Sequence, residues 1–264
     1  MVSVRIQEEM KRDLLGAVHR VALEADSGEV RELVLRRLDG PLWLRPLAHL
    51  LAAREQRALR ACAGLPHGGP PELTQEERDA LAEACGSRTL HLRRFVPGVP
   101  LHRAQRLPRD FFDHLEAAVR ALHGAGVCHN DLHKEQNVVV DPEGWPRLID
   151  FQLSSVHPAR SGRAFESRCR DDLRHVQKLR RRYTKDGRGP AELGVPEERR
   201  MPRRGLALWW RRTVKPLYLA VTRGLLGTKD GEERRSSAGP WPSWEAPLGE
   251  AAEDVRGGSA RGSS

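Results

Sequence analysis

A chain of 264 residues with 39% hydrophobic and 31% charged residues can bury one good-sized core or form a two-lobed domain, and its composition is that of a soluble protein with a thin core. Its net charge of +9 is concentrated, since residues 156–229 hold 20 Lys and Arg against 7 Asp and Glu while residues 1–155 hold 21 against 22. A charged start (Arg5, Glu8, Glu9, Lys11, Arg12, Asp13) and the lack of an apolar run of spanning length argue against a signal peptide or a membrane helix, so a cytoplasmic protein is the expectation.

From the amino terminus, Val21–Leu23 and Glu32–Leu35 are apolar runs separated by Asp26-Ser27-Gly28-Glu29, which predicts a hairpin of two strands. Pro46–Ala63 reads as a helix, with Pro46 in its first turn and Gly64 just past its end. Leu47, Leu51, Ala58 and Cys62 share a face of that helix, and Glu55 falls among them. A carboxylate on an apolar stripe needs a cation, because breaking a buried ion pair costs about 3–5 kcal/mol. The alternative is a Glu at a partly exposed helix edge beside Arg54 and Arg57. Residues 66–80 are Pro/Gly-rich and polar, a surface loop, and Thr89–Leu92 and Arg93–Gly98 read as a strand running into a Pro-Gly turn. Asp110–His123 is a helix, with Asp110 as its cap, Phe112, Leu115, Val119 and Leu122 as its buried stripe and Gly124 at its end. The four cysteines, Cys62, Cys85, Cys128 and Cys169, have no CxxC spacing, which favours reduced thiols over a disulfide frame or a zinc site.

The next segment carries the chemistry. It reads His129-Asn130-Asp131-Leu132-His133-Lys134-Glu135-Gln136-Asn137, then Val138–Val140, a turn at Asp141-Pro142-Glu143-Gly144, and Leu148-Ile149-Asp150-Phe151. The apolar stretches Val138–Val140 and Pro146–Ile149, joined by a Gly-containing turn, predict a short hairpin. Such a hairpin places Asn137 at the start of one strand and Asp150 at the end of the next, so that both side chains can face one cleft. Phosphoryl transfer from ATP uses three oxygen-bearing groups in this order: a carboxylate to orient the attacking hydroxyl, then an Asn and a second Asp to hold magnesium.

On these residues the chain resembles the protein-kinase-like superfamily, and most closely its atypical bacterial branch of lipopolysaccharide (Kdo/heptose) kinases and RIO-like kinases. The resemblance implies an α+β, two-lobed fold with a reduced small lobe over residues 1–97 and a large lobe over 98–229, with ATP and Mg2+ between them. It implies Asp131 as catalytic base, Asn137 and Asp150 as magnesium ligands and His129 as a structural residue, with Lys134 or His133 neutralising charge on the transferred group. Arg36 stands at the third-strand position where a Lys is expected and would contact the phosphates, paired with Glu55. The segment Arg93–Gly98 would be the hinge that receives the adenine. Three features depart from ordinary protein kinases: Asn130 in place of Arg, Asn137 six rather than five residues after Asp131, and Gln152 in place of Gly. A glycine-rich phosphate loop is also missing from residues 1–37.

Asp171–Val176 begins a further helix, in which Asp172 either accepts hydrogen bonds from the catalytic-loop backbone, as the resemblance implies, or is a first-turn carboxylate on a basic helix. Residues 204–228 mix Trp209, Trp210, Tyr218 and several Leu with Arg and Lys, which suits either the last helix of the large lobe or an interfacial segment on an anionic membrane. The basic block of residues 156–229 is itself either an anion-binding face or an Arg-rich solvated surface. Residues 230–264 are rich in Gly, Ser, Pro and Glu, a composition expected to be disordered. The function expected from this reading is an ATP-dependent kinase acting on a hydroxyl of a lipid-linked sugar or of a protein Ser/Thr. The alternatives are a pseudokinase or a membrane-associated scaffold; there is no motif for specific nucleic-acid binding.

Overall fold

The computed structural model describes residues 3–13, 16–24, 28–37, 41–65, 73–75, 79, 89–184, 243–246 and 248. Residues 204–228 and most of residues 66–80, for which the sequence carries expectations, lie outside the described residues. Strands β1 (Ser3–Asp13), β2 (Gly16–Glu24), β3 (Val30–Arg37) and β4 (Thr89–Arg94) form an antiparallel sheet in that order. The predicted hairpin is β2–β3, in register as Val21↔Leu33 and Val18↔Arg36. Because side chains alternate across a strand, Val21, Leu33 and Leu35 fall on one face, where they bury against Leu23 and Leu73. The opposite face carries Val34 and Arg36, with Arg93 of β4 directly across from Val34.

Helix α1 (Arg45–Ala61) carries Pro in its first turn, as its sequence predicts, and Gly64 follows it with φ +80. Its buried stripe is Ala48, Ala52, Glu55, Ala58 and Leu59, not the Leu47–Leu51 line expected from size, and Leu47 is 46% exposed. The small alanines let the helix lie close against the turn Phe151–Leu153 and β10 (Ser155–Val156). After β4 the chain reaches β5 (Val99–Pro100), which pairs with β8 (Val138–Val140). Gly98 is required at that crossing: its φ is +130, and a Cβ there would lie 2.2 Å from the Val140 carbonyl oxygen.

Below the sheet, α2 (Phe111–Gly124) buries Phe112, Leu115, Val119 and Leu122 completely, the stripe its periodicity predicts. These residues join Leu132, Val138, Leu148, Phe151, Val176 and Tyr183 in the main core. The β8–β9 hairpin (β9, Pro146–Leu148) forms as the sequence predicts, with Val138 paired to Leu148 and the Ile149 N–H donating to the Asn137 carbonyl at 3.0 Å. Helix α3 runs over Arg163–Thr184, beginning eight residues before the expected start, because Phe165 supplies an apolar anchor in its first turn. Asp172 therefore sits in mid-helix rather than near its N-terminus.

One expectation about a polar end needs correcting. Asp110 stands at the N-cap of α2 but its side chain makes no cap hydrogen bond. Its carboxylate instead accepts the Leu248 N–H at 3.1 Å and faces His114 at 2.9 Å. Leu248 belongs to the tail expected to be disordered, within which Ser243–Glu245 form β11, a parallel partner of β6 (Arg106–Pro108). Trp244 explains the ordering, since its ring packs 6.3 Å from that of Phe112 at the core.

Candidate active site

The loop between β7 (Val127–Cys128) and β8 is held from beneath by α3. The buried Asp172 accepts the backbone N–H of His129 at 2.8 Å on one carboxylate oxygen and that of Asn130 at 2.9 Å on the other. Asn130 adopts φ +66, a left-handed conformation that Asn tolerates better than most residues. Its side-chain amide donates to the Leu153 carbonyl at 2.9 Å and to Ser155 Oγ at 3.1 Å. The Asn that stands in place of an Arg thus ties the loop to the segment after Asp150. His129 is fully buried, with its ring 4.8 Å from Phe151 and Nε2 at 3.0 Å from the Ile149 carbonyl. At the far end of the loop, Glu135 is held by Arg182 and by the Tyr183 hydroxyl.

Asp131 is 2% exposed. Its Oδ2 accepts the Asn137 side-chain N–H at 3.0 Å and lies 3.3 Å from Lys134 Nζ, while Nδ1 of His133 is 3.0 Å from Oδ1. Burial pushes this carboxyl up, but His133, Lys134 and Asn137 outweigh it and hold the group below the ordinary value of 3.8. The group set against Oδ1 is therefore His133, whose side chain is more than half exposed. Asn137 spends its amide nitrogen on Asp131, on both the carboxylate and the backbone carbonyl, which leaves its side-chain oxygen as the atom for a cation.

Asp150 follows β9 with φ +64 and ψ +67. Burial raises its carboxyl above the ordinary value, and the charges of Glu55 and Asp131 raise it further, against the opposing pull of Lys134 and His129. Three carboxylates therefore converge: Asp131 below its usual range, Asp150 above it, and Glu55 2% exposed on α1. A crowded carboxylate beside an amide oxygen is a donor set for a hard divalent cation, and Asn137 and Asp150 fit magnesium.

Glu55 forms an ion pair with Arg93, Oε1 to Nε 3.7 Å. Arg93 was not singled out by its sequence pattern. It is a cation on β4, across from Val34, and burial lowers its pKa against the favourable charges of Glu55 and Asp150 and the repulsion of Arg36. Arg36 lies on the same sheet face, so the wall above Asp150 carries two guanidinium groups. The sequence signal for Arg93 was a charged residue at an inward-facing strand position.

His175 on α3 lies behind His133, with ring centroids 5.8 Å apart. Burial, then Arg174 and His133, push its pKa down from 6.5 to about 4. A depressed histidine takes its proton in the unfolded chain first, so stability is expected to fall as pH drops from 6.5 toward 4, by up to about 3 kcal/mol. Denaturant melts at pH 7, 5.5 and 4 check this, and His175→Gln should flatten that dependence.

A mixed α/β chain with antiparallel pairing, few helices and this loop–hairpin site is compatible with a protein-kinase-like fold. No family model matches the chain. Over 165 aligned residues it is 33% identical to "Putative cyclin-dependent kinase F-2" of Oryza sativa subsp. japonica, an alignment that takes in 54% of this chain and 45% of that protein. The chain thus spans about half the length of the relative it matches. This distant similarity supports the kinase-like superfamily as the class; it does not extend to the lipopolysaccharide or RIO-like branch. Among the described residues, no helix is long and apolar enough to cross a membrane.

Proposed function

We propose that the chain is an ATP-dependent phosphotransferase that moves the γ-phosphate to an alcohol hydroxyl. In this reading residues 1–97 form the small lobe and the chain from residue 98 the large one, with the nucleotide between them. The observation that carries the proposal is the buried carboxylate of Asp131, held below its ordinary pKa by His133, Lys134 and Asn137, with Oδ1 on the side of the exposed His133 ring. An acceptor hydroxyl donating to that oxygen is aligned for attack as its proton is drawn off. Bound magnesium would supply charge neutralisation at the phosphates, held by Asn137 and Asp150. Lys134 and His133 sit on the same carboxylate and reach the charge developing on the transferred group.

Arg36 and Arg93, rather than one Lys, would face the phosphates, with Glu55 fixing Arg93. Arg36→Met and Arg93→Met are each expected to raise the KM for ATP about tenfold, the scale of one lost charge-assisted contact. Arg93→Met should also lower the melting temperature, because Glu55 loses a partner. Steady-state kinetics and thermal melts separate the two effects.

The similarity to a cyclin-dependent kinase favours a protein hydroxyl as acceptor, and the Asn130 and Gln152 features favour a lipid-linked sugar. Labelled ATP offered with a protein fraction and with a cell-envelope lipid fraction tests the whole reading. Label that appears in one fraction with magnesium, and disappears in Asp131→Ala, supports it. Nucleotide binding with no transfer to either fraction overturns it in favour of a pseudokinase. One observation favours that second reading: residues 1–37, which hold the paired strands β1 to β3, contain no glycine-rich segment of the kind that cradles phosphate.

A further inference from the structure

Behind the loop, three ligand-bearing side chains from separate elements meet. His123 is in the last turn of α2, Cys128 ends β7, and Cys169 lies on α3 one turn before Asp172. A ring nitrogen of His123 and the two Sγ atoms all lie within 4.8 Å of one another. The two Sγ atoms are 3.7 Å apart, whereas zinc with bonds of about 2.3 Å to sulfur places two tetrahedral thiolates about 3.8 Å apart. A disulfide needs about 2.05 Å. His123 Nε2 is 3.2 Å from the buried Asp172 carboxylate, a carboxylate–histidine pairing that fixes the ring of a metal-binding imidazole. Cys128 is fully buried and Cys169 half-buried, so the Cys169 side is the way in.

We propose that His123, Cys128 and Cys169 bind a zinc ion, with solvent completing the tetrahedron on the Cys169 side. Two thiolates and an imidazole select a borderline-soft cation over magnesium or calcium. Burial holds both thiols above their ordinary value, so binding releases their two protons to solvent as the zinc–sulfur bonds form. The ion would pin the end of α2, the strand entering the loop and α3 at one point. Asp172, which holds the His129 and Asn130 backbone, lies against that point. The site is independent of the phosphotransferase reading and stands or falls by metal content. Its ligands are 41 residues apart between the two cysteines, which is why spacing alone favoured free thiols.

The test uses the full-length chain purified without chelator. Elemental analysis is expected to find about one zinc per chain, falling at least tenfold in Cys169→Ser, with a cooperative melt showing that the variant folds. Cobalt substitution should give thiolate-to-metal charge-transfer absorption that the variant lacks. If Cys169→Ser does not fold, peptide mapping of the unaltered chain decides: zinc should protect Cys128 and Cys169 from alkylation, and a chelator should release both. Zinc below a tenth of an equivalent after dialysis against micromolar free zinc overturns the proposal. So do a cobalt spectrum without thiolate bands, zinc content unchanged in Cys169→Ser, or a Cys128–Cys169 disulfide in the purified chain.

Discussion

Asp131→Asn is expected to lower magnesium-dependent phosphate transfer by about 10²–10⁴-fold, the range for loss of a positioned base, while nucleotide affinity changes only a fewfold. The substitution keeps the shape of the side chain, and so keeps a polar group opposite Asn137 and Lys134. It removes the charge that orients a hydroxyl and takes up its proton. Retention of more than a tenth of the turnover would remove Asp131 from the role of base. The stability consequence has a definite sign. Burial is the largest influence on this carboxyl and pushes it up, yet His133, Lys134 and Asn137 bring it below 3.8. A depressed carboxyl contributes stability above the unfolded value and loses it as pH falls through the folded one. The unaltered chain should therefore lose this contribution only in strong acid, and Asp131→Asn should lack it at neutral pH. Melts of the two chains should differ at pH 7 and converge toward pH 2.

How much of this was legible in the sequence depends on how local the determining contact is. The α2 stripe of Phe112, Leu115, Val119 and Leu122 follows from period alone, and the β8–β9 hairpin from two apolar runs around a Gly turn. The order Asp131, Asn137, Asp150 was visible because loop and hairpin bring these residues together within twenty positions. Side-chain size misled at α1: Leu47 and Leu51 look like the core face, but the helix buries its alanines where it lies close to Phe151. Longer-range contacts left little trace. Arg93 is one of two adjacent arginines, and only the register of β4 against β3 tells which one meets Glu55. Trp244 lies in a stretch whose composition reads as disordered, yet Ser243–Glu245 pair with β6 and the Trp244 indole packs near Phe112. The cluster of His123, Cys128 and Cys169 is assembled entirely by the packing of α2, β7 and α3.

Asp150→Asn should move stability and turnover in opposite directions. Burial is the first cause of the raised carboxyl of Asp150, and the nearby charges of Glu55 and Asp131 add to it. A carboxyl whose folded pKa lies above its unfolded value loses stability as pH rises through the folded value, so at neutral pH its charge opposes folding. Asn removes the charge and also suits the left-handed backbone at φ +64. The metal-free Asp150→Asn chain should melt higher than the unaltered chain at pH 7.5, with the gap closing at pH 4. Addition of Mg·ATP should raise the melting temperature of the unaltered chain and leave that of the variant nearly unchanged, because an amide binds a hard cation far less well than a carboxylate. Turnover should drop about 10³-fold, the several kcal/mol a bound metal supplies to the transferring charge. Protons and magnesium compete for the same oxygens, so the acid limb of kcat/KM in the unaltered chain should move to lower pH as magnesium is raised. A variant that melts lower than the unaltered chain without metal would show that Asp150 is not repelled by Glu55 and Asp131, and one that still gains stability from Mg·ATP would show that Asp150 does not hold the ion.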